Sequence, residues 1–168
     1  KGARITFAKD SFISVENTNL KISNCVLEQN FVNNDFYSQQ NLFKLNNATL
    51  TLDNCETVSL FNKNGSVIFS NNSKINILNS GLTIQSKVYS SVFNLLNSDL
   101  NCETSRISAV SDSVIALTMN SGKLNLNNCQ IQVNGKTSKI YELFGVEYSV
   151  LKNKFYCKDK NKEMEKVD

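Results

Sequence analysis

The side chains able to do chemistry are 15 carboxylates, five cysteines, five tyrosines and, among 18 cations, only two arginines, Arg4 and Arg106. Histidine is absent. That removes Ser-His-Asp and Cys-His nucleophiles, His-ligated metal sites and a histidine pH switch. The cysteines, at 25, 55, 102, 129 and 157, are odd in number and show no CxxC spacing. Neither a disulfide framework nor a zinc site is indicated. No DxDxDG calcium loop occurs, so neither a metal nor a cofactor is expected. Asp99 and Asp112 read as turn residues. The densest charge run, 158–168, mixes both signs as a solvated tail does.

What would position these groups is an internal repeat. Leu20-Lys-Ile-Ser-Asn-Cys25 returns as Leu50-Thr-Leu-Asp-Asn-Cys55, Ile75-Asn-Ile-Leu-Asn-Ser80, Leu100-Asn-Cys-Glu-Thr-Ser105 and Leu124-Asn-Leu-Asn-Asn-Cys129. The five anchors lie 30, 25, 25 and 24 residues apart. Two residues after each anchor stands Ile22, Leu52, Ile77, Cys102 or Leu126, an apolar-polar-apolar triplet that reads as a short half-buried strand. Four after come Asn24, Asn54, Asn79, Thr104 and Asn128, and five after a small residue, Cys or Ser. Seven after, Leu27, Leu82, Ile107 and Ile131 open a second alternation, with the second copy shifted to Val58. Three before the anchors stand Asn17, Asn47, Asn72 and Asn97, and Asn120 joins them after a one-residue insertion. Further strand-like runs precede these, at 12–15, 42–45, 67–69, 92–96 and 114–117.

Composition agrees. A chain of 168 residues, 40% hydrophobic and 20% charged, suits one folded domain. Asn occurs 26 times, more often than Lys and Arg together, while Pro and Trp are missing. Asn favours turns over helices or strands. Three short strands and two Asn turns per ~25 residues cannot bury an apolar face within one unit, but coiling and stacking in parallel at ~4.8 Å can. Amides a lap apart then lie above each other and can bond along the stack. The small column fits inside a corner. Cys25 and Cys55 become stack neighbours within disulfide reach, yet parallel side chains oppose that geometry and free buried thiols are expected. Asn79→Leu should destabilise more than Asn33→Leu. The rival architecture is a β-sandwich, whose strands are usually ~5–6 residues rather than triplets.

The Asn24/Asn54/Asn79/Asn128 column after a Leu-x-Ile strand resembles the asparagine ladder of right-handed parallel β-helix proteins, the pectin-lyase-like superfamily with its surface and adhesin-type relatives. The likeness spans roughly 12–140, with a degenerate coil from 141 to 157. It implies an all-β, single-stranded right-handed solenoid of about six coils with three short strands each. The β-helix domain is expected over 1–157, followed by the charged tail 158–168. Pectate lyases of this superfamily use an Asp cluster for calcium and an Arg as base. Arg106 has no Asp-rich neighbours in its coil, and no lyase or hydrolase residue carries over. Asp53 and Glu103 share a column with Leu78 between, about 9.6 Å apart, near the ~6.5–9.5 Å of an inverting carboxylate pair. No aromatic or Arg flanks them, and they read as exposed turn carboxylates.

The remaining candidates are loops that leave one corner. Phe31, Asp35, Phe36 and Tyr37 lie in the longest, Phe61 and Tyr89 in later coils. Rings beside amides and a carboxylate suit a sugar chain, and tucked under their own loops they would be a satellite core. Three N-x-S/T motifs, at Asn47, Asn64 and Asn71, are what so Asn-rich a chain yields by composition.

Net charge is +3 without a basic stripe, and no run nears ~20 apolar residues, so neither nucleic-acid binding nor membrane insertion is expected. The chain opens Lys-Gly-Ala-Arg and enters a strand at once. It is expected to be a piece of a longer β-helix, with uncapped coils able to associate end to end. The functional expectation is a non-enzymatic segment of a secreted or cell-surface protein, acting as adhesin, spacer or binding scaffold. Its expected partners are glycans or host or cell-surface proteins. The alternatives are a polysaccharide lyase or glycoside hydrolase, and a carbohydrate-binding module.

Overall fold

The computed structural model describes residues 2–7, 11–31, 40–159 and 165–166. Among them are eighteen strands and no helix, stacked as a parallel β-solenoid of about six turns with about three strands per turn. Column one stacks β1 (Arg4–Phe7), β4 (Val26–Phe31), β7 (Glu56–Phe61), β10 (Gly81–Gln85), β13 (Arg106–Val110), β15 (Gln130–Gly135) and β17 (Lys154–Asp159). The short β18 (Glu165–Lys166) adds to β17 antiparallel. Column two stacks β2 (Ile13–Glu16), β5 (Gln40–Asn46), β8 (Asn64–Asn71) and β11 (Tyr89–Leu96). Column three stacks β3 (Asn19–Ser23), β6 (Thr49–Asp53), β9 (Lys74–Leu78) and β12 (Asp99–Glu103). The longer β14 (Ser113–Asn127) and β16 (Thr137–Leu151) run through columns two and three, pairing first with β11 and β14, then with β12 and β14.

The five anchors are register partners, Leu20 on Leu50 on Ile75 on Leu100 on Leu124. A lap of the chain is therefore one ladder step, and the inward residues stack into files, most of them apolar. Leu52, Ile77, Cys102 and Leu126 fill one file, and Leu82, Ile107 and Ile131 another, all buried. Each buried Leu or Ile contributes roughly 1.5–3 kcal/mol.

Backbone conformation explains the asparagines. Asn17, Asn47, Asn72 and Asn97 turn the chain from column two to column three, and Asn24, Asn54, Asn79, Thr104 and Asn128 from column three to column one. All have φ between 46° and 56°. This left-handed region costs most side chains about 1–2 kcal/mol, and Asn tolerates it because its short amide bonds locally. Register puts Ser121, not Asn120, at the fifth turn of the first series, followed by Gly145. No insertion occurs there. One amide-to-amide bond joins the eight expected ladder residues, Asn54 Nδ2 donating to Asn24 Oδ1 at 2.7 Å.

The polar ladder of the corners runs instead through the small residue that follows. Cys55 N donates to Ser80 Oγ at 3.0 Å and Ser80 N to Ser105 Oγ at 3.1 Å. At the other corner Ala48 N donates to Ser73 Oγ and Ser73 N to Ser98 Oγ, both at 3.1 Å. Each hydroxyl in turn donates a hydrogen bond to the carbonyl two residues back, as Ser80 does to Leu78 O at 2.7 Å. These residues are buried, so the ladder satisfies amides that water cannot reach.

One coil departs from the expected pattern. Thr57, not Val58, pairs with Leu27 and Leu82, so β7 is not shifted. Thr57 and Ser59 face inward fully buried, and Val58 and Leu60 face solvent. The Thr57 and Ser59 hydroxyls have no hydrogen-bond partner, nor has Gln29 Oε1 beside Ser59. At the far end β16 is an open edge. Tyr148 and Val150 continue the inward files of Leu124 and Leu126 yet are 71% and 39% exposed, with no lap over them among the described residues.

Candidate functional site

The corner from column one to column two carries the variable loops. Asp35, Phe36 and Tyr37 lie outside the described residues. Phe31 ends β4 opposite Phe61 of β7, and its side chain also falls outside them. Phe61 is 4% exposed and faces the core. A Cβ on Gly65 would stand 2.3 Å from its ring, so glycine makes the space that the ring fills. Phe61 is therefore a core side chain, not a platform for a sugar. Tyr89, opposite Asn64 and Ser113, is half-buried, and burial raises its hydroxyl pKa. Phe61 and Tyr89 thus share no exposed surface.

The most ordered polar surface is the outer face of column three, which the sequence expectations did not single out. Alternation turns Thr51, Asn76, Asn101, Asn125 and Ser149 outward in one file. Asn76 Nδ2 donates to Thr51 Oγ1 at 3.2 Å and Asn125 Nδ2 to Asn101 Oδ1 at 2.6 Å. Beside it runs a file of alternating charge, Lys74, Asp99, Lys123 and Glu147. Lys123 Nζ lies 3.5 Å from Glu147, and Lys123 N donates to Asp99 Oδ1 at 2.9 Å. A shallow groove of about 350 Å³ lies along these two files and ends at Tyr148. The signal was present in the sequence as the polar middle residue of each triplet, masked by attention to the turn asparagines.

No acid–base pair converges on this face. Asp53, Leu78 and Glu103 are register partners, two ladder steps across. Asp53 is held by Lys21 Nζ at 3.4 Å, and Glu103 accepts from Asn101 Nδ2 at 3.0 Å. Arg106 reaches over Gly81 to Glu56 at 3.6 Å, and Arg4 of β1 lies 3.6 Å from Glu28. Asp112 pairs with Lys136 at 2.7 Å and Glu142 with Lys139 at 2.6 Å. These surface pairs contribute little stability, about 0–1 kcal/mol each. Among the described residues no three His, Cys, Asp or Glu side chains gather as a metal site, and no helix is long and apolar enough to cross a membrane.

None of the five cysteines is in a disulfide; Cys55, Cys102 and Cys129 are buried and Cys25 and Cys157 half-buried. Cys25 and Cys55 bond to backbone carbonyls, of Ser23 at 3.2 Å and Ile22 at 3.4 Å. Cys102 and Cys129, assigned to different columns by the repeat, are brought together diagonally, their sulfurs 3.4 Å apart. Comparison with protein-family models, with curated proteins and with solved structures finds no match for this chain.

Proposed function

We propose that this chain is a non-enzymatic, rigid segment of a secreted or cell-surface β-helix protein of the pectin-lyase-like kind, serving as adhesin, spacer or binding scaffold. The observation that carries this reading is the outer face of column three. It is a flat ladder of amides and paired charges in which each carboxylate already has a donor or cation. Acid–base catalysis of glycosidic cleavage needs two carboxyl groups free to face one bond. Asp53 and Glu103 are engaged elsewhere.

A second reading, carbohydrate binding without catalysis, is favoured by one feature. The Asn76–Asn101–Asn125 file and its groove repeat at the ~4.8 Å ladder step, offering hydroxyl partners along a line. Partners on the main reading are glycans or proteins of a cell surface. A further copy of the chain is also proposed, meeting the open β16 edge.

The test is incubation of the protein with a panel of acidic and neutral polysaccharides, scoring new reducing ends and unsaturated products. None is expected. Product that disappears in Asp53→Asn or Glu103→Gln would replace the scaffold with an enzyme. Retention on one glycan, lost in Asn101→Ala without product, would establish the second reading.

A further inference from the structure

The corner ladder has a rule with one consequence peculiar to a single coil. The small residue after each column-three turn sits over the carbonyl of the inward residue one lap earlier. Cys55 Sγ reaches Ile22 O, Ser80 Oγ reaches Leu52 O and Ser105 Oγ reaches Ile77 O, each at 3.4 Å. Asn153 Nδ2 reaches Leu126 O at 2.9 Å. In those laps the residue underneath is Ile or Leu. Under Cys129 it is Cys102, whose carbonyl accepts from Cys129 Sγ at 3.2 Å. A thiol is thus stacked on a thiol, in a fully buried file between Ile77 and Leu126.

We infer that Cys102 and Cys129 are an oxidisable pair, the site at which this solenoid takes an intramolecular disulfide joining two successive laps. The sulfurs stand 3.4 Å apart, and a disulfide needs about 2.05 Å. Closing that gap is a matter of turning the two short side chains toward each other. The other cysteines lack this arrangement. Cys25 and Cys55 point in parallel within one corner file, each to its own carbonyl. Cys157 bonds Ser138 O at 3.3 Å.

The chemistry balances with a small-molecule disulfide as oxidant. The Cys129 thiolate attacks one sulfur of the reagent, and a thiolate leaves and takes up a proton. Cys102 then gives up its proton and attacks the Cys129 sulfur, expelling the second reagent thiol. Two protein thiols and one reagent disulfide become one protein disulfide and two reagent thiols. Cys129 suits the attacking role. The hydrogen bond with the Cys102 thiol outweighs burial and lowers its pKa. The same bond, with burial, pushes Cys102 well up. Both side chains are almost fully buried, so entry of the oxidant requires local opening of this corner.

The experiment incubates the folded chain with oxidised glutathione, alkylates the remaining thiols and maps peptides without reduction. The expected product is the 102–129 cross-link, two hydrogens lighter, with Cys25, Cys55 and Cys157 recovered alkylated. Oxidation should raise the thermal midpoint by roughly 5–15 °C. The shift should persist in Cys25→Ser and vanish in Cys102→Ser and in Cys129→Ser. A predominant cross-link elsewhere overturns the inference. So does recovery of Cys102 and Cys129 as free thiols under conditions that cross-link the unfolded chain. Should Cys102→Ser fail to fold, the peptide map of the unsubstituted chain decides alone.

Discussion

Replacing Asn79 and Ser80 in turn separates the two forces that hold a corner. Asn79 has φ 49° and an exposed side chain, and its backbone N–H donates to Glu103 O at 3.0 Å whatever the side chain is. Asn79→Gly keeps the left-handed turn at no steric cost, and should change stability by only a few tenths of a kcal/mol. Asn79→Leu places a branched side chain in that region and should cost about 1–2 kcal/mol. Ser80→Ala is worse for a different reason. Ser80 Oγ accepts from the amide of Cys55, a buried residue, so its loss orphans a donor that water cannot reach. That costs about 1–3 kcal/mol, and for a chain of this size lowers the melting temperature by roughly 2–12 °C. Thermal and urea unfolding followed by circular dichroism at 218 nm, near the strand minimum, would rank the variants Gly, then Leu and Ala. Should Asn79→Gly lose as much as Ser80→Ala, amide side chains rather than backbone conformation and serine hydroxyls would be holding the turn. Asn33→Leu, the control expected to be mild, falls outside the described residues.

Three further outcomes follow. Thr57→Val should stabilise by about 1–2 kcal/mol, because it removes a buried hydroxyl without a partner and keeps the shape; a lower urea midpoint would show that the hydroxyl is bonded. Gly65→Ala should cost about 1–3 kcal/mol by driving a methyl into the buried Phe61 ring, whereas Gly81→Ala meets only the movable Glu56 carboxylate and should stay within about 0.5 kcal/mol; equal losses would contradict the packing assigned to Phe61. Val150→Glu, at the open β16 edge, should abolish any concentration-dependent association seen by analytical ultracentrifugation, and association that survives it would place the contact elsewhere.

The frame was legible because the solenoid repeats its physics once per lap. Leu20, Leu50, Ile75, Leu100 and Leu124 could be aligned by eye, and their register pairing follows from that alignment. What escaped was whatever depends on a single lap. Val58 is the apolar residue of its pair, yet an inward Val58 needs a one-residue slip that turns the whole of β7 over, and parallel pairing on both sides forbids it. The turn asparagines share left-handed backbone rather than amide-to-amide bonds, and Asn120 stands one residue before its turn. The Ser80 and Ser105 hydroxyls stand in a column that the sequence marks only by small size. The Cys102–Cys129 contact is diagonal between columns, and an alignment that stacks like on like cannot display a diagonal neighbour.

The corners also divide the work of the fold. Two of them are fixed lap after lap by a left-handed residue and a buried polar bond, and neither can lengthen without breaking a file. The corner from column one to column two has no left-handed residue among the described ones, and its connections vary: 32–39, 62–63, 86–88, 111–112 and residue 136 alone. Loop closure grows only slowly with length, so each doubling there costs about 0.6 kcal/mol. Two locked corners against one free one means that new recognition can be added along a single edge of the stack while the ladder face of column three stays unchanged.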